Sequence, residues 1–318
     1  MSAGRDIELV AEFRHAELAY GEIAALRGLS FEVRRGEMYG LVGPDGAGKT
    51  TAIRTLLGLL ALRAGTVRVL GMDPQKNPEV VKHSVGYLSQ RFTLYGDLTV
   101  QENIEFFGEI HRVPDIRGRL GALLDFTLLG PYTRRRADQL SGGMQKKLAL
   151  ACTLIHQPQL LLLDEPTTGV DPVSRREFWS LLHRLLQDGL SVLLTTPYLD
   201  EAERCTRVAL VHAGRALAED DPLQLRQRFS DRLIEIVCQP VRAAQLLLQA
   251  SPRVRRVHPY GDRLHAIPVQ RDDDLADLVQ ALAAQQIQVE HQRDVAPSLE
   301  DVFIDMVDRA KVAAGAPA

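Results

Sequence analysis

The chain has 318 residues, 45% of them apolar, and a formal net charge of −3 with acidic and basic residues mixed along its length. That size holds one large α/β domain and a small second one, and the composition excludes a disordered chain. The charge offers no blanket attraction to nucleic acid or to an anionic lipid surface, and no apolar run reaches the roughly 18 to 20 residues that a spanning helix needs.

Residues 1–10 are acidic and polar where a signal peptide is basic and then apolar, which predicts a chain kept in the cytoplasm. If it serves a membrane process, the spanning part is then another chain. Up to about residue 222, short apolar strands alternate with helical stretches, the pattern of a mainly parallel sheet covered by helices. Strands are expected at 30–33, 37–42, 66–70, 85–88, 160–164, 191–195 and 208–211, several of them continuously apolar, as strands buried on both faces are. The stretch 91–139 lacks good strands, and helices are expected at 100–109 and 117–129, so a helical subdomain (about 91–158) interrupts an α/β domain spanning 1–228. Beyond Pro222 come an expected strand at 233–238, a helix at 242–250, strands at 254–257 and 264–269, a helix at 273–285, a strand at 287–291 and a last helix at 298–310. The order βαββαβ predicts a small ferredoxin-like α+β domain over 229–318. Ser298 makes a good N-cap for the last helix, with Asp301 three residues on, and the Ala-, Gly- and Pro-rich tail 312–318 reads as frayed.

Cys152, Cys205 and Cys238 sit at no metal or redox spacing and read as buried small apolar residues. The run Arg134-Arg135-Arg136 reads as a solvated face. His156 and His183 fall in helical stretches and His212 at a strand end, so core or surface roles are expected of them.

Gly43-Pro44-Asp45-Gly46-Ala47-Gly48-Lys49-Thr50 fits G-x-x-x-x-G-K-[ST], with an apolar strand running in and a helical stretch from Thr51 to Leu60 running out. Glycines at this spacing turn backbone N–H groups around a phosphate, and the helix N-terminus adds its positive end. Lys49 is placed to reach the outer phosphates and the Thr50 hydroxyl to bind Mg²⁺. The buried strand 159–163 ends in Asp164 and Glu165, where an α/β sheet presents its ligands. Asp164 suits the Mg²⁺ shell, and Glu165 suits the polarisation of an attacking water. Outside this context, two adjacent acids would read as solvated turn residues.

Leu140-Ser141-Gly142-Gly143-Met144, opening a helix expected at 145–156, resembles the signature motif of ABC ATPases and stands in the family's order between the other two motifs. The resemblance covers roughly residues 11–225. It implies a P-loop NTPase fold, ATP and Mg²⁺ as ligands, and two subunits sandwiching two nucleotides, with Ser141, Gly142 and Gly143 facing the partner's γ-phosphate. It further implies that Tyr20 stacks on adenine, that Gln90 reaches Mg²⁺ and senses a membrane partner, and that Gly169-Val170-Asp171-Pro172 contacts the opposite subunit. Gly43–Gly48, Thr196-Pro197-Tyr198-Leu199-Asp200-Glu201-Ala202-Glu203 and Pro297-Ser298-Leu299-Glu300-Asp301-Val302-Phe303 resemble drug- or daunorubicin-resistance exporters of the ABC-2 type. Such subunits act peripherally on the inner face of the membrane with separate permease chains, sometimes with a periplasmic adaptor, as homodimers or heterodimers. Residues 91–97 are then the expected grip on the permease.

Two positions depart from the family. Met144 replaces the commonest glutamine, at small expected cost. Pro197 replaces a histidine that contacts the γ-phosphate, and proline offers neither side-chain donor nor backbone N–H. Either turnover is slowed, or the hydroxyls of Thr195 or Thr196, or a water, take over the contact. Two other readings stay open: a soluble ABC ATPase acting on nucleic acid, disfavoured by the single module and the lack of a basic stripe, and a dimerising regulatory subunit with vestigial hydrolysis.

Overall fold

The computed structural model describes residues 8–90, 94–270 and 276–313, without the side chains of 276–279 and 313. The expected permease-facing residues 91–93, the start of the expected helix at 273–275 and the tail from 314 lie outside the described residues. The chain divides into two units, one formed by the residues up to Pro222 together with those from Arg309 onward, and one over Leu223–Asp308.

The larger unit opens with the hairpin β1 (Leu9–Tyr20) and β2 (Ile23–Arg34), followed by β3 (Met38–Val42), α1 (Lys49–Leu56) and β4 (Ala64–Val69). β1 lies between β2 and β4 in an antiparallel three-stranded sheet. Next come α2 (Pro78–Ser84), β5 (Val85–Leu88) and the helices α3 (Val100–Ile110), α4 (Ile116–Thr127) and α5 (Gly142–Leu154). β6 (Leu160–Asp164), α6 (Pro172–Gln187), β7 (Ser191–Thr196), α7 (Leu199–Ala202), β8 (Arg207–His212) and β9 (Arg215–Asp220) follow, and α8 (Pro222–Gln227) begins at the boundary and lies, past Pro222, in the smaller unit.

Five parallel strands in the order β5-β6-β7-β3-β8, with β9 antiparallel at one edge, form the second sheet. Every residue of β3, β6 and β7 is buried, which is why these strands are apolar through their middles and polar only at their ends. Each of Leu160 to Leu163 is fully buried and contributes about 2 kcal/mol by removal from water. Phe13, Phe31 and Tyr39 stack in series at ring distances of 4.8 and 5.5 Å, pinning the smaller sheet against β3. The helices α3, α4 and α5 close on their own core of Val100, Ile104, Leu120, Leu124 and Leu148. A capping box starts α3: Glu102 N–H donates to Thr99 Oγ1 at 3.2 Å, and Thr99 N–H donates to Glu102 Oε2 at 2.8 Å.

The structure differs from the expected elements in several places: β2 starts at Ile23 rather than residue 30, and α2, α6, α7 and α8 have no expected counterpart. β1 has no counterpart among the expected strands. A register shift between Phe13 and Ala16, with His15 at φ +49°, breaks the alternation that marks a half-buried strand. β9 also lies outside the expected strands, because it is an edge strand with no fully buried residue. The helix expected from Thr51 to Leu60 stops at Leu56, where Gly58 adopts φ +73° and turns the chain.

The smaller unit further contains β10 (Ile234–Gln239), α9 (Val241–Gln249), β11 (Val254–Tyr260), β12 (Arg263–Pro268), α10 (Ala276–Ala284), β13 (Gln288–Asp294) and α11 (Leu299–Ala313) as far as Asp308. Its sheet is antiparallel in the order β11-β12-β10-β13, the ferredoxin-like arrangement that βαββαβ predicts. Ile234, Ile236, Leu248, Val257 and Leu264 fill its core.

Candidate functional site

β3 ends at Val42, and the loop that follows is held against the parallel sheet: Gly43 N–H donates to Thr196 O at 3.2 Å. A Cβ on Gly43 would stand 2.1 Å from Val211 O, so no other residue fits there. Gly46 (φ +77°) and Gly48 (φ +100°) take left-handed backbone that favours glycine. Gly48 is also the N-cap of α1 and has no side chain to satisfy the first N–H groups of the helix, which leaves them for an anion in the loop.

Lys49 is buried. Its Nζ lies within the loop, donating to Gly43 O at 2.7 Å and Pro44 O at 3.0 Å, and sits 3.5 Å from Glu165 Oε1. Thr50 Oγ1 donates to Asp164 Oδ1 at 3.1 Å, and Thr195 Oγ1 donates to the same oxygen at 2.6 Å. Glu165 breaks the strand at φ +47°, a conformation that costs a non-glycine residue roughly 1–2 kcal/mol. Its N–H donates to the backbone and hydroxyl oxygens of Thr195, both at 3.1 Å, and this clamps the turn. Its Oε2 accepts from Gln90 Nε2 at 2.8 Å and from Thr168 Oγ1 at 3.4 Å.

These groups border a cavity of about 500 Å³ lined by Asp45, Gly46, Ala47, Gly48, Lys49, Thr50, Thr51, Gln90 and Glu165. Tyr20 and Ile23 line its other end; 45% and 74% exposed, they form an apolar shelf beside the polar loop. The structure thus gathers around one cavity the residues singled out in the sequence at Tyr20, Asp45 to Thr51, Gln90 and Glu165, with Gly43 and Pro44 bonded to Lys49 and Asp164 bonded to Thr50 behind its lining. Ser141, Gly142 and Gly143 do not line this cavity. Ser141 Oγ accepts from Met144 N–H at 3.3 Å as the N-cap of α5, which starts the helix at Gly142 rather than residue 145. Gly142 borders a neighbouring cleft that also contains Gln90, where Lys146 Nζ donates to Gln90 O at 3.1 Å. A Cβ on Gly143 would stand 2.1 Å from Ser174 Oγ, which makes a close approach of α5 to α6 possible only with glycine. Asp171 caps α6, accepting from Val173 and Ser174 N–H at 3.0 Å each.

Pro197 is a half-buried bend after β7. The hydroxyls expected to compensate for it are engaged elsewhere. Thr195 serves Asp164 and the Glu165 backbone, and Thr196 Oγ1 donates to Glu201 Oε2 at 2.7 Å while accepting from Tyr198 N–H at 3.0 Å. Ile23, which lines the cavity, and the buried acceptor role of Glu201 beside it, quoted in the sequence only within the Thr196–Glu203 stretch, are what the sequence does not pick out. An isoleucine three residues after Tyr20 is a readable hint for the first; nothing local marks a buried glutamate. Of the histidines, His111 and His156 stack at 4.0 Å away from the cavity. Burial, with His111 and His83 nearby, pushes the His156 pKa down to about 4.

Comparison with known proteins agrees with this geometry. Residues 26–168 match the model of the ABC transporter family, and residues 221–307 match that of the ATP-binding protein DrrA1-3-like C-terminal domain. The chain is 37% identical to the daunorubicin resistance ATP-binding protein DrrA2 of Streptomyces coeruleorubidus, covering 91% of this chain and 92% of that one. It is 40% identical to the probable multidrug ABC transporter ATP-binding protein YbhF of Escherichia coli over 90% of its own length, and spans about half (50%) of that protein. The dimeric ATP-binding cassette MJ0796 bound to ADP and Pi superposes with a TM-score of 0.59 at 25% identity, covering 66% of this chain and 98% of that one. The chain belongs to the ABC transporter family of ATP-binding proteins.

Proposed function

We propose that this ABC-family chain binds and hydrolyses ATP as the motor subunit of an ABC-2 type membrane exporter, driving transport through separate permease chains. The convergence of Lys49, the Thr50–Asp164 pair and the Gln90–Glu165 pair on one cavity carries the reading. Relatives named for multidrug, daunorubicin and Nod factor export support the transport assignment.

In this reading Tyr20 and Ile23 receive the adenine, the loop N–H groups and Lys49 neutralise the β- and γ-phosphates, and Glu165 orients the attacking water. Lys49 and Gln90 already hold the Glu165 carboxylate, so nucleotide must draw Lys49 off to free Oε1 for that water. The Thr50 hydroxyl, the Asp164 carboxylate and the Gln90 amide are oxygen donors of the kind Mg²⁺ prefers, and fit it. When bound, the ion spreads the charge that builds on the phosphates. Ser141, Gly142 and Gly143, away from the cavity of their own chain, serve the nucleotide of a second subunit, identical or similar. The subunit pair works on the inner face of the membrane, in some systems with a periplasmic adaptor.

The test is Mg²⁺-dependent ATP hydrolysis by the full chain with its permease, beside Glu165→Gln, with ATP-induced dimerisation followed in the same samples. A turnover at least about 100-fold lower in Glu165→Gln, together with a stable ATP-held dimer, is expected. Equal turnover in the two proteins would refute the role of Glu165. One observation favours a second reading, a nucleotide-sensing dimer with vestigial hydrolysis: Pro197 lacks the expected donor, and the Thr195 and Thr196 hydroxyls are engaged. Dimerisation without turnover in either protein would support it.

A further inference from the structure

The smaller unit contains a side-chain cluster that the nucleotide site does not use. His258 on β11 and His265 on β12 are direct cross-strand partners, and Asp301 lies in the first turn of α11 above them. His258 Nε2 is 3.0 Å and His265 Nδ1 2.7 Å from the same oxygen, Asp301 Oδ1. One ligand atom from each of the three residues falls within 4.8 Å of the others. The side chains are 11%, 4% and 0% exposed.

We propose that His258, His265 and Asp301 form a binding site for a first-row divalent cation of the zinc class, clipping the N-terminus of α11 to the sheet.

Four features support this assignment. Three elements converge to present two imidazole nitrogens and one carboxylate oxygen, a donor set that suits zinc, cobalt or nickel and leaves a position for water. The carboxylate is aimed in advance. Its far oxygen, Oδ2, accepts from Ser298 N–H at 2.8 Å and Ser298 Oγ at 2.6 Å, so Oδ1 alone faces the rings. The neighbouring acids of α11 are already answered: Arg256 pairs with Asp305 at 3.1 Å and Asp308 at 2.9 Å, leaving Asp301 to the imidazoles. Finally, His265 has a carboxylate behind it. Glu235 is its cross-strand partner on β10, with Oε2 3.8 Å from His265 Nε2, and is held by Arg263 and Arg293.

Binding requires lone pairs at His258 Nε2 and His265 Nδ1. The ring protons then reside on the opposite nitrogens, so neutral imidazoles release no proton. The His265 proton would face Glu235, the carboxylate–histidine–metal relay that orients such ligands. Without metal, the hydrogen bond to Asp301 Oδ1 places the His258 proton on Nε2, so an incoming cation shifts it to Nδ1, which is buried with no hydrogen-bond partner among the described residues. Two imidazoles also separate this site from the oxygen-lined nucleotide cavity, because Mg²⁺ prefers oxygen.

The experiment uses the full, tag-free chain stripped of metal and titrated with Co²⁺ and with Zn²⁺. We expect one equivalent bound, visible d–d absorption from Co²⁺ that excess Mg²⁺ leaves unchanged, and a higher melting temperature with Zn²⁺. His258→Gln, nearest the surface and still able to donate to Asp301, should weaken binding more than tenfold and abolish the thermal shift while melting normally without metal. His265→Gln should do the same, and Glu235→Gln should weaken binding about tenfold. No uptake of Co²⁺ or Zn²⁺, displacement of Co²⁺ by Mg²⁺, or unchanged affinity in a folded His258→Gln would overturn the proposal.

Discussion

Removing the carboxylate of Glu201 should destabilise the larger unit far more than its place in the short helix α7 suggests. Glu201 is 1% exposed, accepts from Thr167 Oγ1 and from Thr196 Oγ1 (2.7 Å), and lies 3.9 Å from Arg175 Nε. Thr167 stands two residues beyond Glu165, and Thr196 stands just before Pro197, so one buried group ties together the two segments that flank the cavity. Glu201→Ala leaves two buried hydroxyls without an acceptor, each at a cost of about 1–3 kcal/mol. Arg175 is partly exposed and turns to water, adding little. The expected loss is about 3 kcal/mol, or roughly 6–12 °C in melting temperature. Glu201→Gln keeps one acceptor and should lose about half as much. Trp179, the single tryptophan and 1% exposed in α6, reports the transition by fluorescence in urea. Pairing Glu201→Ala with Thr167→Val should give a coupling energy above about 1 kcal/mol. A loss below about 1 kcal/mol in Glu201→Ala would refute the tether.

Gly43→Ala forces a Cβ to within 2.1 Å of Val211 O and should cost more than about 2 kcal/mol and most nucleotide binding, whereas Gly142→Ala, with nothing within 4 Å, should melt as the unsubstituted chain does. Nucleotide titration and thermal melts of both variants check this. For His156 the folded pKa of about 4 lies below the unfolded value of about 6.5, so stability holds above pH 6.5 and declines as pH falls toward 4, because only the unfolded chain takes up the proton. At pH 5.5 the loss is about 1 kcal/mol for this partly buried ring, and urea midpoints of His156→Gln should fall correspondingly less between pH 7.5 and 5.5. Pro197→His should raise ATP turnover about tenfold if one charge-assisted hydrogen bond of about 1.5 kcal/mol is restored, and unchanged turnover would count against an impaired site.

Stretches whose chemistry is local are legible in the amino-acid order alone. The phosphate loop is eight consecutive residues between a strand and a helix, and the apolar runs 160–164 and 191–195 fit only strands covered on both faces. The βαββαβ order of the smaller unit follows from alternating periodicities. β1 escapes such a reading because its bulge breaks the period that betrays a strand.

Partnership is not legible in the same way. The residues meeting at the cavity come from far apart in the chain: Thr50 and Asp164 are separated by 114 positions and Gln90 and Glu165 by 75. Their motifs announce them, but the atoms each touches do not follow from the motifs. That Thr195 serves Asp164, that Glu201 gathers Thr167 and Thr196, and that His258, His265 and Asp301 share one oxygen are consequences of strand register and helix placement. The sequence by itself determined which elements form and which short motifs face the sheet's C-terminal edge, because hydrophobic period and glycine backbone freedom act over a few residues. Only the tertiary structure decided which buried polar groups answer one another, because a buried donor takes whichever acceptor the packed sheets bring within about 3 Å.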